Sequence, residues 1–138
     1  MLQNQLRYTL GKEERLKSRK VIELLFKEGK SFSNFPFRVA WKYLQQENNI
    51  FLQAGFTVST KYFKKAVDRN RIRRLMKEGY RLQKNELQQT LEHSNKRLGV
   101  FFIYVGKEIP EYPLVVEKIA AILVRLQKIV NENNSANS

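Results

Sequence analysis

The chain has 138 residues, carries 26 Lys and Arg against 13 Asp and Glu for a net charge of +13, and has no cysteine. The length and the 42% hydrophobic content suit one domain with a modest core, and the cysteine count excludes disulfides and thiolate metal sites. Because it has neither a secretory signal pattern nor an apolar run of about eighteen residues, we expect a cytoplasmic protein that does not contact membranes.

The first half of the chain predicts one helix and two strands. Ser18 is a suitable N-cap for a helix that Gly29 ends, and five of the six residues at 21–26 are apolar, more than one stripe needs. Apolar and polar residues alternate over 35–44 and again over 50–59, which predicts two half-buried strands. The polar residues between these strands indicate a turn, so we expect them to pair as a hairpin.

The second half predicts a basic helix, a strand and a final helix. The basic helix covers 64–81, residues 85–97 are polar and loosely patterned like a linker, and LGVFFIYV at 98–105 is typical of a central strand. Apolar residues recur at helical spacing over 114–130. This order indicates an α+β fold with a strand-helix-strand crossover around the basic helix.

The two ends of the chain are polar. Residues 1–17 favour a partly extended lead-in, and the final NENNSANS is typical of a disordered segment. We therefore expect one domain over 1–131 and a disordered tail over 132–138.

Most of the excess positive charge lies in one segment. Residues 61–84 hold ten basic and two acidic side chains, a net charge of +8. Helical spacing puts Ile72, Leu75, Met76, Gly79 and Leu82 on one arc, and Arg69, Arg73, Arg74, Lys77 and Arg81 on the opposite arc. Neutralised phosphates release counterions and the guanidinium fork binds phosphate bidentately, so this face favours structured RNA over a membrane surface. A basic face that serves solubility alone is the alternative.

Catalytic motifs are missing from the sequence. His93 is the single histidine, and it stands in the predicted linker without a neighbouring pair of carboxylates, which indicates a solvated loop residue. We find no Asp-x-Asp cluster for Mg²⁺, no Ser-His-Asp arrangement and no glycine-rich phosphate loop. We expect that the chain alone does not cleave RNA.

The basic helix also carries a family resemblance. AVDRNRIRRLMKEGYR at 66–81 resembles the signature of the bacterial ribonuclease P protein subunit. FKEGK at 26–30, GFTVSTK at 55–61, a late apolar strand and a terminal helix follow in the order of that family, over roughly residues 15–130. The chain departs from the family pattern at Lys64, where a glycine is common, and at Ile22, the first position of an aromatic pair.

The resemblance implies a fold and a function. The fold would be a single α+β domain like domain 2 of ribosomal protein S5, with a left-handed βαβ crossover. The chain would be the accessory, non-catalytic subunit of an endoribonuclease that removes the 5′ leader from precursor tRNA. Its partners would be the catalytic RNA subunit, which holds the Mg²⁺ ions, and precursor tRNA, with no obligate protein partner. A ribosomal or chaperone-type RNA-binding module without a role in tRNA processing is the alternative.

The resemblance and the basic arc together indicate two sets of site residues. For the RNA subunit they are Lys65, Arg69, Asn70, Arg71, Arg73, Arg74, Lys77 and Arg81. For the leader they are Arg19, Ile22, Phe26, Phe37, Trp41, Ser59 and Lys61, with bases stacked on aromatic rings and phosphates held by cations. Phe37 and Trp41 equally admit a place in the hydrophobic core, because the sequence does not fix which way their strand faces.

Overall fold

The computed structural model describes residues 10–46 and 48–136 as one α+β domain, with four helices around a four-stranded sheet. The elements are a 3-10 turn at Lys12–Glu14, α1 at Arg19–Glu28, β1 at Lys30–Asn34, β2 at Phe37–Leu44, β3 at Leu52–Val58, α2 at Ala66–Arg81, α3 at Asn85–Ser94, β4 at Arg97–Tyr104 and α4 at Tyr112–Ala136. The α+β class and the single domain agree with the sequence prediction.

The sheet has the strand order β1-β2-β4-β3, in which β3 and β4 are parallel and the other neighbours are antiparallel. The predicted hairpin between residues 35–44 and 50–59 is therefore wrong, because β4 lies between β2 and β3. β4 is the most apolar strand, and Leu98, Val100 and Phe102 are fully buried in it, as a central strand requires. β2 forms its hairpin with β1, an edge strand whose KSFSN sequence is too polar to predict a strand.

The connection from β3 through α2 and α3 to β4 is left-handed. The side chain of Ala54 faces the helices, while its carbonyl accepts a 2.8 Å hydrogen bond from the N–H of Leu16 at the free edge of β3. In a strand that runs upward, an L-residue with its side chain toward the viewer directs its N–H and C=O to the right. Viewed from the helices, Leu16 thus lies to the right of β3 and β4 lies to its left. The chain crosses leftward in front of the sheet, against the usual right-handed rule, as the resemblance predicted.

The two faces of the sheet are covered differently. α2, α3 and α4 cover the face that carries Val39, Trp41 and Phe102, and together they form the main core. α1 packs on the other face through a smaller cluster that contains Leu25 and Ala40. Since a single ten-residue helix is narrower than four strands, part of this second face stays open.

Helix α1 begins and ends where the sequence predicts. The hydroxyl oxygen of Ser18 accepts a 3.3 Å hydrogen bond from the N–H of Val21, which caps the helix. Gly29 follows the last turn and approaches β2 closely, since a Cβ there would lie 2.7 Å from the carbonyl oxygen of Trp41. This glycine therefore holds the end of α1 against the sheet.

The predicted linker at 85–97 contains a helix instead. In α3, Leu87 and Leu91 lie one turn apart and are fully buried against the main core. Asn95 then ends the helix in the left-handed conformation, with a φ of 54°. Two apolar residues in ten are enough to anchor a helix that packs on α4, although they are too few to produce a helical pattern in the sequence.

Helix α4 is longer than predicted. The sequence indicated a helix over 114–130 and disorder over 132–138, but the helix continues to Ala136. The side-chain amide of Asn133 donates a 2.8 Å hydrogen bond to the hydroxyl of Tyr43, which ties this last part of the helix to β2. The two final residues of the predicted tail lie outside the described residues. No helix within the described ranges has both the length and the apolar character that a bilayer crossing needs.

Residues 10–17, which we call the N-terminal strap, lie along the free edge of β3. Besides the bond between Leu16 and Ala54, the side-chain amide of Gln53 donates a 2.9 Å hydrogen bond to the carbonyl of Glu13. The extended path agrees with the predicted lead-in, whose first nine residues lie outside the described residues. The strap therefore covers an edge that would otherwise expose unpaired backbone groups.

A buried ion pair fixes the strap to the helical layer. Lys84, between α2 and α3, is 1% exposed, and its Nζ lies 2.6 and 2.8 Å from the two carboxylate oxygens of Glu14. The N–H of Gly11 donates a further 2.6 Å hydrogen bond to the same carboxylate. The charge of Glu14 is thus paired and hydrogen-bonded, the condition under which a buried charge is tolerated.

Candidate RNA-binding surfaces

The basic helix α2 separates its apolar and charged sides as predicted. Ile72, Met76 and Gly79 are buried, and Gly79 faces α4, where an added Cβ would meet Val115 and Ile119 at an ordinary contact distance of 3.5 Å. Leu82, which the pattern placed on the apolar arc, is exposed because α2 ends at Arg81. The residues predicted to bind the RNA subunit all reach the surface. Lys65, Asn70, Arg71 and Arg74 are exposed, and Arg69, Arg73, Lys77 and Arg81 are half-buried.

Arg69 holds the loop that leads into α2. Its guanidinium donates hydrogen bonds of 2.9 and 2.8 Å to the carbonyl oxygens of Phe63 and Lys64. The family pattern often has a glycine at the position of Lys64. The backbone of Lys64 does not adopt the positive φ that favours glycine, since Asn95 is the one non-glycine residue with positive φ in the described part of the chain. Part of the hydrogen-bonding capacity of Arg69 is therefore used inside the protein.

Two other cations of α2 bond to neighbours on the same helix. Arg81 donates from Nε to a carboxylate oxygen of Glu78 at 3.0 Å, and this hydrogen bond lowers the pKa of Glu78. Arg73 donates to the side-chain oxygen of Asn70. Both pairs lie on the helix surface, where such contacts exchange readily with water or with another acceptor.

The second candidate surface is the part of the sheet that α1 leaves open, which we call the open face. Strand register aligns its side chains in one row across the four strands: Ser33, Arg38, Ile103 and Thr57. Ser33 and Arg38 are exposed, and the other two are half-buried. This row therefore offers a cation and hydroxyls beside an apolar side chain.

Two aromatic rings form the wall between α1 and the open face. Phe26 on α1 is 51% exposed, and its ring contacts that of Phe101 on β4 edge to face, with centroids 5.3 Å apart. The ring of Phe101 lies above Gly55, where a Cβ would come within 2.3 Å of it. Gly55 thus makes room for a ring that would otherwise be pushed off the sheet.

The other predicted leader residues lie on α1 and in the turn after β3. Ile22 is half-buried in the cluster under α1, and Arg19 is exposed on the first turn of that helix. Ser59 and Lys61 follow β3, where the N–H of Ser59 donates a 3.0 Å hydrogen bond to the carbonyl of Tyr104. The hydroxyl of Ser59 accepts a 3.3 Å hydrogen bond from the N–H of Lys61, so it helps to shape the turn.

Phe37 and Trp41 do not belong to the open face. Phe37 is fully buried and Trp41 is 6% exposed, and both belong to the main core under the helices. Their rings contact Tyr104 and Tyr43 with centroids 5.5 and 5.6 Å apart. Since side chains alternate between the faces of a strand, this core position directs the neighbouring Arg38 to the open face. The leader assignment of these two aromatics is therefore wrong.

Several residues on or beside the open face were not predicted from the sequence. Arg38 follows directly from the period-two alternation once Phe37 is placed in the core. Phe101 and Ile103 gave no such signal, because every residue from 98 to 105 except Gly99 is apolar. Tyr62 was also missed, and it is an exposed ring with the Nζ atoms of Lys61 and Lys107 at 5.3 and 5.7 Å from its centroid.

His93 and possible metal ligands are the remaining candidate reactive groups. His93 is exposed, as predicted, although it lies on α3 and not in a loop. Across residues 10–46 and 48–136, no group of three His, Cys, Asp or Glu side chains is placed to hold a metal ion. The two surfaces thus carry groups suited to binding phosphates and bases.

The sequence is similar to those of known ribonuclease P proteins. A family model described as Ribonuclease P matches residues 10–125. The Ribonuclease P protein component of Porphyromonas gingivalis is 33% identical over 119 residues, which cover 86% of this chain and 87% of that protein. The protein of the same name from Chlorobium phaeobacteroides is 29% identical over 133 residues, covering 88% and 91%.

Solved structures agree with this similarity. The RNase P protein from Thermotoga maritima has a TM-score of 0.60 and 28% identity, over 81% of this chain and 96% of that one. The RNase P protein of Staphylococcus aureus has the same fold, with a TM-score of 0.60 at 19% identity over 80% and 92%. Because the family model matches most of the chain and a relative is 33% identical along nearly its whole length, the chain belongs to the ribonuclease P protein family.

Proposed function

We propose that this chain is the protein subunit of ribonuclease P in the cytoplasm, where it binds the catalytic RNA subunit through α2 and the 5′ leader of precursor tRNA on the open face. One observation carries the proposal. The charged side of α2 and the wall of Phe26 and Phe101 are separate surfaces, because α1 and α2 pack on opposite faces of the sheet. A protein with two such surfaces is suited to hold one RNA against another.

The charged side of α2 suits the backbone of a folded RNA. Arg71 and Arg74 are exposed, and Arg73 and Lys77 lie four residues apart on the same side. Like charges at this spacing repel, by a few tenths of a kcal/mol per pair, unless an anion lies across them. Phosphates would relieve that repulsion and would make the affinity strongly dependent on salt.

The open face suits a single strand. Exposed Phe26 offers a ring on which an unpaired base can stack, while Arg38 and Arg19 offer charges for the phosphates on either side. A paired base would have its faces covered by its neighbours, so this chemistry favours the unpaired leader over the folded body of tRNA. Tyr62 and Lys61 would extend the same path past the end of β3.

We assign the hydrolytic step to the RNA subunit and its Mg²⁺ ions, as the family resemblance implies. This chain would position the leader and screen the repulsion between two polyanions. It needs no additional protein partner for that role.

Reconstitution tests the proposal. The purified chain should leave precursor tRNA intact, and it should restore leader removal at low Mg²⁺ when it is mixed with the ribonuclease P RNA subunit of the same organism. His93→Gln should reconstitute as well as the unchanged chain, since His93 is exposed on α3, a helix that contributes no residue to either surface. An inactive mixture of folded chain and folded RNA would favour the ribosomal or chaperone-type module.

A further inference from the structure

Two cations of the N-terminal strap lie beside the charged side of α2. Burial lowers the pKa of Lys77, and the charges of Arg15, Arg73 and Lys17 lower it further. Arg15 also bridges Ala54 of β3 in parallel, and bridged residues direct their side chains to the same face of a sheet, here the face that α2 covers. We call Arg15, Lys17, Arg73 and Lys77 the four-cation cluster, which combines residues nearly sixty positions apart in the sequence.

The strap holds its two cations in a fixed orientation. Glu14 pairs with Lys84 in the helical layer and Leu16 packs in the cluster under α1, while Arg15 and Lys17 between and after them are exposed. The backbone of this segment bonds to β3 through Leu16, and Glu14 pairs with buried Lys84. The strap is therefore attached at two points, which direct Arg15 and Lys17 outward.

The charge balance of the cluster indicates the class of its ligand. Within the described residues, every charged group that shifts the pKa of Lys77 is a cation, and each of them lowers it. The four cations repel one another, and this repulsion is unfavourable in the free protein. An anion with several charges at regular spacing would reverse that cost, and the phosphodiester backbone of RNA has this form.

We propose that the strap forms the second half of the RNA-subunit surface, with Arg15 and Lys17 binding phosphates of the same RNA segment as Arg73 and Lys77. This inference rests on the proposed role of α2 and extends it to a segment outside the family motif. The RNA backbone would cross the exposed cations of the strap and of α2 from the solvent side. The leader would lie on the other side of α1, against Phe26.

Salt dependence of binding to the ribonuclease P RNA subunit tests the proposal. Each lost phosphate contact lowers the slope of log K against log salt by about 0.7 to 0.9, so R15Q/K17Q should lower it by about 1.4 to 1.8. The matched control is R125Q/K128Q, which removes one Arg and one Lys from α4 near β1, at the opposite edge of the sheet. The control should keep the slope, and R15K/K17R should keep most of it because the charges remain.

Two outcomes would overturn the proposal while leaving the role of α2 intact. One is a slope for R15Q/K17Q equal to that of R125Q/K128Q, while R73Q/K77Q lowers it. The other is that R15Q/K17Q weakens only the binding of precursor tRNA with a leader, which would move the strap to the leader path. If neither R15Q/K17Q nor R73Q/K77Q changes the slope, the proposed role of α2 fails as well.

A measurement without RNA checks the geometry. In the free protein, R15Q/K17Q should raise the pKa of Lys77, followed by NMR of its side chain, because two of the three charges that depress it are gone. R125Q/K128Q should leave it unchanged. An equal pKa in both variants would show that the strap and α2 are not close in solution, and the cluster would then be discarded.

Discussion

Phe26 presents about half of its side chain to solvent, next to the ring of Phe101. Stacking of one base contributes about 1 to 3 kcal/mol, so Phe26→Ala should weaken binding of precursor tRNA to the holoenzyme by up to roughly a hundredfold. Binding of mature tRNA, which has no leader, should stay nearly the same. Equilibrium binding of both substrates to the reconstituted enzyme measures the difference.

The control for Phe26 is Val124→Ala, which removes an exposed apolar side chain from α4. It should change neither affinity. If Phe26→Ala weakened both substrates equally while remaining folded, the leader would not contact this ring.

Tyr80 has a buried hydroxyl that finds no hydrogen-bond partner among the described residues. Its ring contacts Phe56 and Phe102, and phenylalanine would keep both contacts. Tyr80→Phe should therefore leave the free energy of unfolding at pH 7 unchanged or raise it by about 1 kcal/mol. Urea denaturation measures this, and a loss of more than about 1 kcal/mol would show that the hydroxyl is bonded after all.

The same substitution has a pH signature. Burial raises the pKa of Tyr80, and the carboxylate of Glu14 raises it further, whereas an unfolded tyrosine ionises near 10.0. A raised pKa favours the folded state fully below the unfolded value, and this contribution is lost as the pH rises above it. Stability of the unchanged chain should thus fall above pH 10 by up to about 1.4 kcal/mol per pH unit more than that of Tyr80→Phe. Parallel pH profiles for the two proteins would contradict the burial of this hydroxyl.

At the scale of elements, the strap depends on the pair of Glu14 and Lys84. Lys84→Met would leave the Glu14 carboxylate buried without its main partner, and we expect a loss of about 3 to 5 kcal/mol in the free energy of unfolding. The double substitution Glu14→Leu with Lys84→Met should cost less than the sum of the two single ones, because no buried charge is left unpaired. Denaturant titration of the four proteins gives the coupling, and strict additivity would argue against the pair.

The elements also show what the sequence could predict. α2 and α4 were found from their long helical period, and β4 from a short apolar run rich in β-branched and aromatic residues. β1 and α3 were missed because each uses few apolar residues and depends on contacts distant in sequence, such as Leu87 and Leu91 against the core. The predicted pairing of β2 with β3 was wrong for a similar reason. Strands that are neighbours in sequence usually pair, and here β4, which is distant in sequence, lies between them.

At the scale of the whole molecule, the two proposed RNA surfaces should act independently. Phe26→Ala should leave affinity for the RNA subunit unchanged, since Phe26 lies across the sheet from α2. R73Q/K77Q should weaken binding to the RNA subunit and, once the protein is added to saturation, leave the preference for precursor over mature tRNA intact. If Phe26→Ala also weakened binding to the RNA subunit, or R73Q/K77Q also removed the preference for precursor tRNA, one RNA would contact both surfaces.

The candidate site was predictable only in part, because its geometry depends on the whole fold. The charged side of α2 could be read from helical spacing alone. Which side of β2 faces solvent could not, since burial of Phe37 is decided by the helices that cover it, and this made Arg38 a surface residue. The left-handed connection also contradicts the general rule for crossovers, so it came from the resemblance and not from any pattern in the sequence.

The ion pair between Glu14 and Lys84 has a consequence for the order of events during synthesis. The two residues are 70 positions apart, so at 5 to 20 residues per second the ribosome makes Lys84 roughly 4 to 14 s after Glu14. Until then the strap lacks this anchor in the helical layer. Its full docking therefore waits until α2 and the residues that follow it have been made.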